Sequence, residues 1–323
     1  MVKRAPSRKV SDFDYSGYFR EIRLLHDLTT LPEDKKWRAV PPREEEPHRV
    51  VLYLGCNVLR TSHMVRTVID IFDLLGVDHV AVGGPAYCCG VGYHSFGDIE
   101  LAQSMGRNAV RFLERFQPER VVMWCPSCIT YYDEIFQLPS SFQTQHVTEF
   151  LAEHVDELEF KREVRQRVAL HYHSSDPKGL AEARAAETLL RRVPGLEYVP
   201  LESDTRLGRA CSPDAQQATG MDVWKEIIEG QLQQAYYVGV EAFAPLYHGC
   251  QRLICAYEEQ YPLAIEHYLS VFARALDIEY EDKYKKYRLW RDPDRVLADM
   301  VPCMQAGGLA SERAHKVVQQ TFP

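Results

Sequence analysis

Two hydrophobic periodicities alternate through the middle of this chain. Unbroken apolar runs, RVVLYLG (49–55), HVAVGG (79–84) and RVVMW (120–124), are separated by longer segments in which apolar residues recur every three or four positions, HMVRTVIDIFDLLG (63–76) and DIELAQSMGRNAVRFLERF (98–116). A short continuous apolar run suits a strand covered on both faces, and the 3.6-residue period suits the helices that cover it. A further helix is predicted after Cys128. Strand–helix alternation of this kind implies a parallel sheet. The order then recurs between 165 and 276: VRQRVALHYHSSD, a helix PKGLAEARAAETLLRRV, a strand LEYVPLE, a loop LGRACSP, a helix WKEIIEGQLQQAYYV, and AFAPLYHGC before another helix. An internal repeat sets the architecture. The fold class is α/β, with two pseudo-twofold-related Rossmann-like lobes, each with a parallel sheet.

Four regions follow: an N-terminal extension (1–48), a first repeat (49–150), a second, degenerate repeat (151–276) and a C-terminal tail (277–323). In the extension, residues 1–12 read as disordered and YFREIRLLHDL (18–28) as a short amphipathic helix. A Pro-rich charged connector leads to the first strand, so the extension is either a loose arm or a docking arm. The tail mixes aromatic and charged residues in EDKYKKYRLWRDPDRV, which suits a surface helix or a partner contact.

Five of the nine cysteines fall between Cys56 and Cys128, as C56-x31-C88-C89-x35-C125-x2-C128. Each follows an apolar run, which places it at the carboxyl end of a strand, where ligands collect in open α/β sheets. Five buried thiolates without a counter-charge are prohibitive, and a metal removes the problem by binding the thiolate form. A closed zinc site uses four ligands, so a fifth cysteine points to iron–sulfur chemistry. Gly90 and Gly92 are expected to let the backbone approach a bulky cofactor. Main-chain N–H groups at the start of the helix after Cys125 favour negative sulfur. The other readings are small buried hydrophobes, a redox pair or half a zinc site.

The spacing resembles the cysteine-rich CCG domain found in the B-type subunit of heterodisulfide reductase and its relatives, over about residues 49–276. The resemblance implies that Cys56, Cys88, Cys89, Cys125 and Cys128 hold one noncubane [4Fe-4S] cluster. It also implies a second motif, and here that motif is incomplete. Ser174 stands at the place of Cys56, Ala210 and Cys211 at Cys88 and Cys89, and Tyr247 and Cys250 at Cys125 and Cys128. His171, His173, Asp176, Cys211, His248 and Cys250 remain. Three readings stand for them: a substrate pocket without metal, a second metal held as zinc or a mixed-ligand [2Fe-2S] centre, or inert core. On the first, Cys211, Cys250, His171, His173 and His248 are the candidate catalytic residues, with a cysteine as thiol relay.

The net charge of −8 argues against a nucleic-acid protein. No apolar run approaches the length of a membrane span, and the basic start MVKRAPSRKV lacks the apolar stretch of a secretory signal. An odd number of cysteines with one adjacent pair suits a reducing compartment, so the cytoplasm is expected. No ferredoxin-type C-x2-C-x2-C run occurs, so a ferredoxin-like iron–sulfur subunit is expected as partner, with a flavin subunit of the same complex implied by the resemblance. The expected function is the redox subunit of a heterodisulfide-reductase-like complex, resembling the B-type subunit of the bacterial sulfur-oxidising form. It would act on a disulfide or a sulfur carrier. The alternatives are a non-catalytic electron-transfer or anchor subunit, as in glycolate or succinate dehydrogenase complexes, and a zinc-stabilised scaffold. Cys255 and Cys303 have no motif partner.

Overall fold

A computed structural model describes residues 12–135, 137 and 139–322. The expectation for residues 1–11 lies outside the described residues. After an N-terminal helix, α1 (Tyr15–Thr29), the first lobe runs β1 (Val50–Gly55), α2 (Ser62–Leu74), β2 (His79–Gly83), α3 (Val91–Ser95), α4 (Ile99–Leu113), β3 (Arg120–Met123), α5 (Pro126–Thr130), β4 (Gln143–His146) and α6 (Val147–Glu153). The second lobe runs β5 (Arg167–His171), α7 (Pro177–Arg192), β6 (Glu197–Tyr198), α8 (Pro213–Thr219), α9 (Met221–Tyr237), β7 (Ala242–Pro245), α10 (His248–Ile254), β8 (Ala264–Ile265) and α11 (Tyr268–Arg274). The tail is α12 (Lys283–Trp290), α13 (Pro293–Gly307) and α14 (Ser311–Thr321). Among the described residues no helix is long and apolar enough to cross a membrane.

Each lobe is a four-stranded parallel sheet, and the order is the same in both, β2-β1-β3-β4 and β6-β5-β7-β8. The central strands are buried on both faces, as their unbroken apolar sequences require. The lobes meet reciprocally. The helix after the fourth strand of one lobe, α6, packs on the helix after the first strand of the other, α7, and α11 packs on α2 in the same way. That exchange is what a twofold relation between repeats produces. One apolar core runs through the junction, with Leu52, Phe72, Phe150, Leu189 and Phe272 all buried. The same detail repeats at the fourth strands. His146 and His267 each cap the helix that follows by accepting a main-chain N–H. Each also reaches back to the residue after the third strand, Trp124 O and the main chain of Leu246.

The N-terminal helix is neither a loose arm nor a free docking arm. Leu25 and Leu28 pack with Val296, Met300, Val318 and Phe322 of the tail helices into a separate apolar layer. His26 ties the helix to the segment after Cys56: its Nδ1–H donates to Leu59 O at 3.0 Å, and its Nε2 accepts from the Trp37 indole at 3.0 Å. The connector is also held, because Arg38 pairs its main chain with Ala81 and Gly83 at the edge of β2.

Burial holds His26 neutral, with its pKa lowered from 6.5 to about 4, and burial likewise lowers His63, His248 and His267. The unfolded chain therefore takes up protons near pH 6.5 that the folded chain refuses. Stability should be full above that value and fall as the pH drops toward 4, by about 1.4 kcal/mol per pH unit for each histidine still neutral. Thermal midpoints measured from pH 7.5 to 4.5 should show this slope, and His26→Gln should flatten it. A midpoint unchanged down to pH 4.5 would contradict it.

Candidate functional site

Three adjacent strand ends deliver the five cysteines. β1 leads into Cys56, β2 into a turn that carries Cys88 and Cys89, and β3 into Cys125 and Cys128. β1 lies between the other two, so these ends are neighbours. The thiols form one contact chain, from Cys56 to Cys88, Cys89, Cys128 and Cys125, with Cys89 and Cys128 sulfurs 3.4 Å apart. Cys88, Cys89 and Cys128 are buried, whereas Cys56 and Cys125 are partly exposed. The site thus has one face toward solvent.

Protons are shared unevenly along this chain. Hydrogen bonds from Cys128 and Cys88 bring Cys89 down to about 6. The single Cys128 thiol proton is shared between Cys89 and Cys125, and with the main-chain N–H groups of Cys128 and Ser127 it brings Cys125 down to about 7. Cys56 and Cys128 are raised, through the hydrogen bonds they donate to Cys88 and Cys125 and through burial. The turn that begins with Cys125 supplies the N–H donors expected there.

Two glycines shape the site, and one of them for another reason than expected. Gly55, at φ +75°, faces Cys128: a Cβ there would lie 3.5 Å from its sulfur. Gly90, at φ +91°, lies against α4, where a Cβ would come within 2.4 Å of Ala102 O. Gly90 therefore seats the Cys88–Cys89 turn on the protein's own helix, and Gly92 has open space around it. For Gly90 this contact corrects the expectation that it makes room for a cofactor.

Residues outside the cysteine pattern complete the wall, two of them from outside the first lobe. Tyr18 of α1 lies beside Cys56 and Cys88, and burial raises its pKa. Arg60 stands next to Cys56 and pairs with Glu21 of α1 at 2.6 Å. Arg252, from α10 of the second lobe, donates to Asn57 Oδ1 at 2.6 Å, and its buried Nε has no hydrogen-bond partner among the described residues. Sequence spacing held no sign of these three, because they do not belong to the cysteine pattern. A polynuclear iron–sulfur cluster fits this donor set. Five sulfurs face one another, more than a four-coordinate ion binds, and two cations and main-chain donors offset their charge.

In the second lobe the register explains what replaced the thiols. Tyr53 pairs with Met123 and His171 with Pro245, two residues before Cys125 and Tyr247 respectively. His171 thus occupies the place of Tyr53, and His173 that of Gly55. An imidazole at the Gly55 position must meet the cysteine opposite, and His173 Nε2 lies 3.2 Å from Cys250 Sγ. Cys211 Sγ lies 3.5 Å from His171 Nε2 and 3.6 Å from His173 Nε2. All four are buried. Burial pushes Cys211 up; Cys250, despite burial, is pulled well below the usual thiol value by Cys211 and the two histidines. Tyr247 stacks on His173 and donates to the buried Glu182, so its ring fills the place of Cys125. Ser174 donates to Ser203 O at 3.2 Å. Asp176 caps α7, and His248 stands outside the group of four. Cys255 and Cys303 are buried elsewhere, in line with their having no motif partner.

Comparison with known proteins agrees with this division. Residues 50–131 match the cysteine-rich domain CCG, which ends before the degenerate repeat. The chain carries this domain, and it is homologous to the D-type subunit of dihydromethanophenazine:CoB–CoM heterodisulfide reductase. It is 20% identical to that protein from Methanosarcina barkeri over 253 residues, covering 73% of this chain and 61% of the relative. For Methanosarcina mazei the identity is 20% over 264 residues, covering 76% and 64%. An uncharacterized iron–sulfur protein of Methanocaldococcus jannaschii is 23% identical over 223 residues, covering 68% and 44%. The chain spans less than two thirds of the length of these relatives. Among solved structures, an aspartate racemase homologue from Pyrococcus horikoshii covers 71% of this chain and 97% of its own at 15% identity, with a TM-score of 0.32, too low to support an inference.

Proposed function

We propose that this protein is an iron–sulfur redox subunit that handles a disulfide or sulfane sulfur within a heterodisulfide-reductase-like complex. The observation that carries the reading is the convergence of Cys56, Cys88, Cys89, Cys125 and Cys128 into one contact chain at three neighbouring strand ends. These residues would hold a noncubane [4Fe-4S] cluster, which supplies one-electron steps and iron for a sulfur ligand. The chain's own residues bind and orient. Arg60 beside Cys56 and Arg252 on the adjoining Asn57 set positive charge near this face and would favour an anionic sulfur compound. Tyr18 closes the side next to α1 and limits water. Partly exposed Cys56 and Cys125 mark the face where substrate arrives.

The second-lobe residues enter differently from the sequence expectation. Cys211, Cys250, His171 and His173 are sealed against one another, so this reading places the substrate at the first-lobe face and not among them. The electrons pass to or from a ferredoxin-like iron–sulfur partner and a flavin subunit, in the cytoplasm. On this reading the complex serves sulfur oxidation, a reading supported by the motif's likeness to the B-type subunit of sulfur-oxidising complexes.

Anaerobically purified protein should contain about four irons and as much acid-labile sulfide per chain. Adding a thiol or persulfide to the oxidised protein should change its paramagnetic spectrum, through sulfur binding at the cluster. Iron-free protein with zinc on the first-lobe cysteines would refute the reading. An iron-loaded protein whose spectrum ignores every sulfur compound would favour the electron-transfer or anchor role.

A further inference from the structure

The second lobe carries a donor set that the function above leaves unused. The ligand atoms of His171, His173, Cys211 and Cys250 all lie within 4.8 Å of one another, and these residues are between 0% and 4% exposed. A tetrahedral ion with sulfur at about 2.3 Å and nitrogen at about 2.0–2.1 Å holds S and N about 3.5 Å apart. The three S–N separations here are 3.2, 3.5 and 3.6 Å. Two thiolates also balance a divalent cation, which removes the cost of burying charge.

The surroundings are built for such an ion. His171 Nδ1 lies 2.9 Å from Gln231 Oε1, and Gln231 is fixed by its own amide donating to Glu202 O at 3.0 Å. His173 Nδ1 lies 3.1 Å from Gly208 O. Both partners are acceptors, so each Nδ1 carries the proton and each Nε2 presents a lone pair toward the cysteines. Outer partners of this kind orient metal-bound histidines. The buried Trp224 indole lies beside Cys211, and the hydrogen bond its N–H offers that sulfur favours the thiolate form.

We infer that His171, His173, Cys211 and Cys250 form a closed mononuclear zinc site that clamps the strand ends of the second lobe. A mixed-ligand [2Fe-2S] centre puts its histidines and cysteines on different irons, whereas here Cys211 Sγ touches both imidazoles and His173 touches both thiols. The site joins the end of β5, the loop after β6 and the start of α10. Full burial leaves no open coordination position, the mark of a structural site. The inference does not rest on the function proposed for the first lobe.

The test is zinc analysis and zinc-edge X-ray absorption on the full-length protein as purified anaerobically. The expected result is about one zinc per chain, with about two sulfurs near 2.3 Å and two nitrogens near 2.0–2.1 Å. Cys250→Ser and His171→Ala should lose the zinc, keep the first-lobe iron and lower the thermal midpoint. Should these variants fail to fold, the absorption edge of the unsubstituted protein still decides. Protein without zinc, zinc in an all-sulfur shell, or a Cys250→Ser variant that loses about half the iron would each overturn the inference. A two-sulfur, two-nitrogen zinc shell in protein without iron would uphold it while refuting the redox reading.

Discussion

Cys89→Ser is expected to strip the protein of nearly all its iron. Cys89 is the middle of the thiol chain and touches both Cys88 and Cys128, so its loss separates the β2 ligands from the β3 ligands. Its thiol is also held low by hydrogen bonds from Cys128 and Cys88, which favours the thiolate form that a metal binds. A serine hydroxyl in the same place does not ionise near neutral pH. Changing a residue that only orients a metal ligand costs about 10–100-fold; loss of a central ligand should exceed that, with turnover down more than about 100-fold. The matched control is Cys303→Ser. Cys303 is buried in α13, away from the strand ends, and its replacement should leave iron and spectrum intact. Iron content, sulfide content and the paramagnetic spectrum read the outcome. Full iron with an unchanged spectrum in Cys89→Ser would remove Cys89 from the ligand set.

Gly90→Ala and Gly92→Ala should move stability in opposite directions, although they lie two positions apart. At Gly90 the added methyl meets a main-chain oxygen at 2.4 Å, and the backbone cannot swing aside without pulling Cys88 and Cys89. The left-handed conformation costs about 1–2 kcal/mol for an L residue, and overpacking adds about 1–3 kcal/mol. A loss of about 2–5 kcal/mol is expected, together with reduced iron occupancy as the turn shifts. At Gly92 a methyl meets nothing within 4 Å, and the residue lies inside α3. Alanine there should stabilise by about 0.5–1 kcal/mol and leave the iron in place. Chemical denaturation of the metal-free proteins separates the two, and iron analysis of the loaded proteins follows. Equal effects at both positions would contradict the account of Gly90.

Much of the fold was legible because burial leaves a mark on sequence. Strands covered on both faces read as VVLYLG or RVVM, and the covering helices as amphipathic periods. The fourth strands were missed. Gln143–His146 is edge-placed and polar, and Ala264–Ile265 is two residues long, so neither carries the apolar signature. The predicted strand LEYVPLE shrinks to Glu197–Tyr198 for a similar reason: it lies at a sheet edge with little to pair against. The extension was read as an arm because amphipathicity says that a helix face is covered but not by what. The covering residues, Val296 to Phe322, come from the other end of the chain.

The sequence by itself determined the five-cysteine pattern and the two-lobe plan. Strand-end placement follows from local apolar runs, and adjacency follows from the parallel topology those runs impose. It also determined that three of the five positions are lost in the second repeat. Only the tertiary structure decided what fills them. That His173 stands where Gly55 stands is a matter of strand register, and that its Nε2 reaches Cys250 depends on a rotamer and on the Gly208 carbonyl that orients the ring. Tertiary structure alone likewise brought Tyr18 and Arg252 to the five-cysteine face. Contacts between residues far apart in the chain arise from how helices and lobes pack, and no local pattern of polar and apolar residues encodes them.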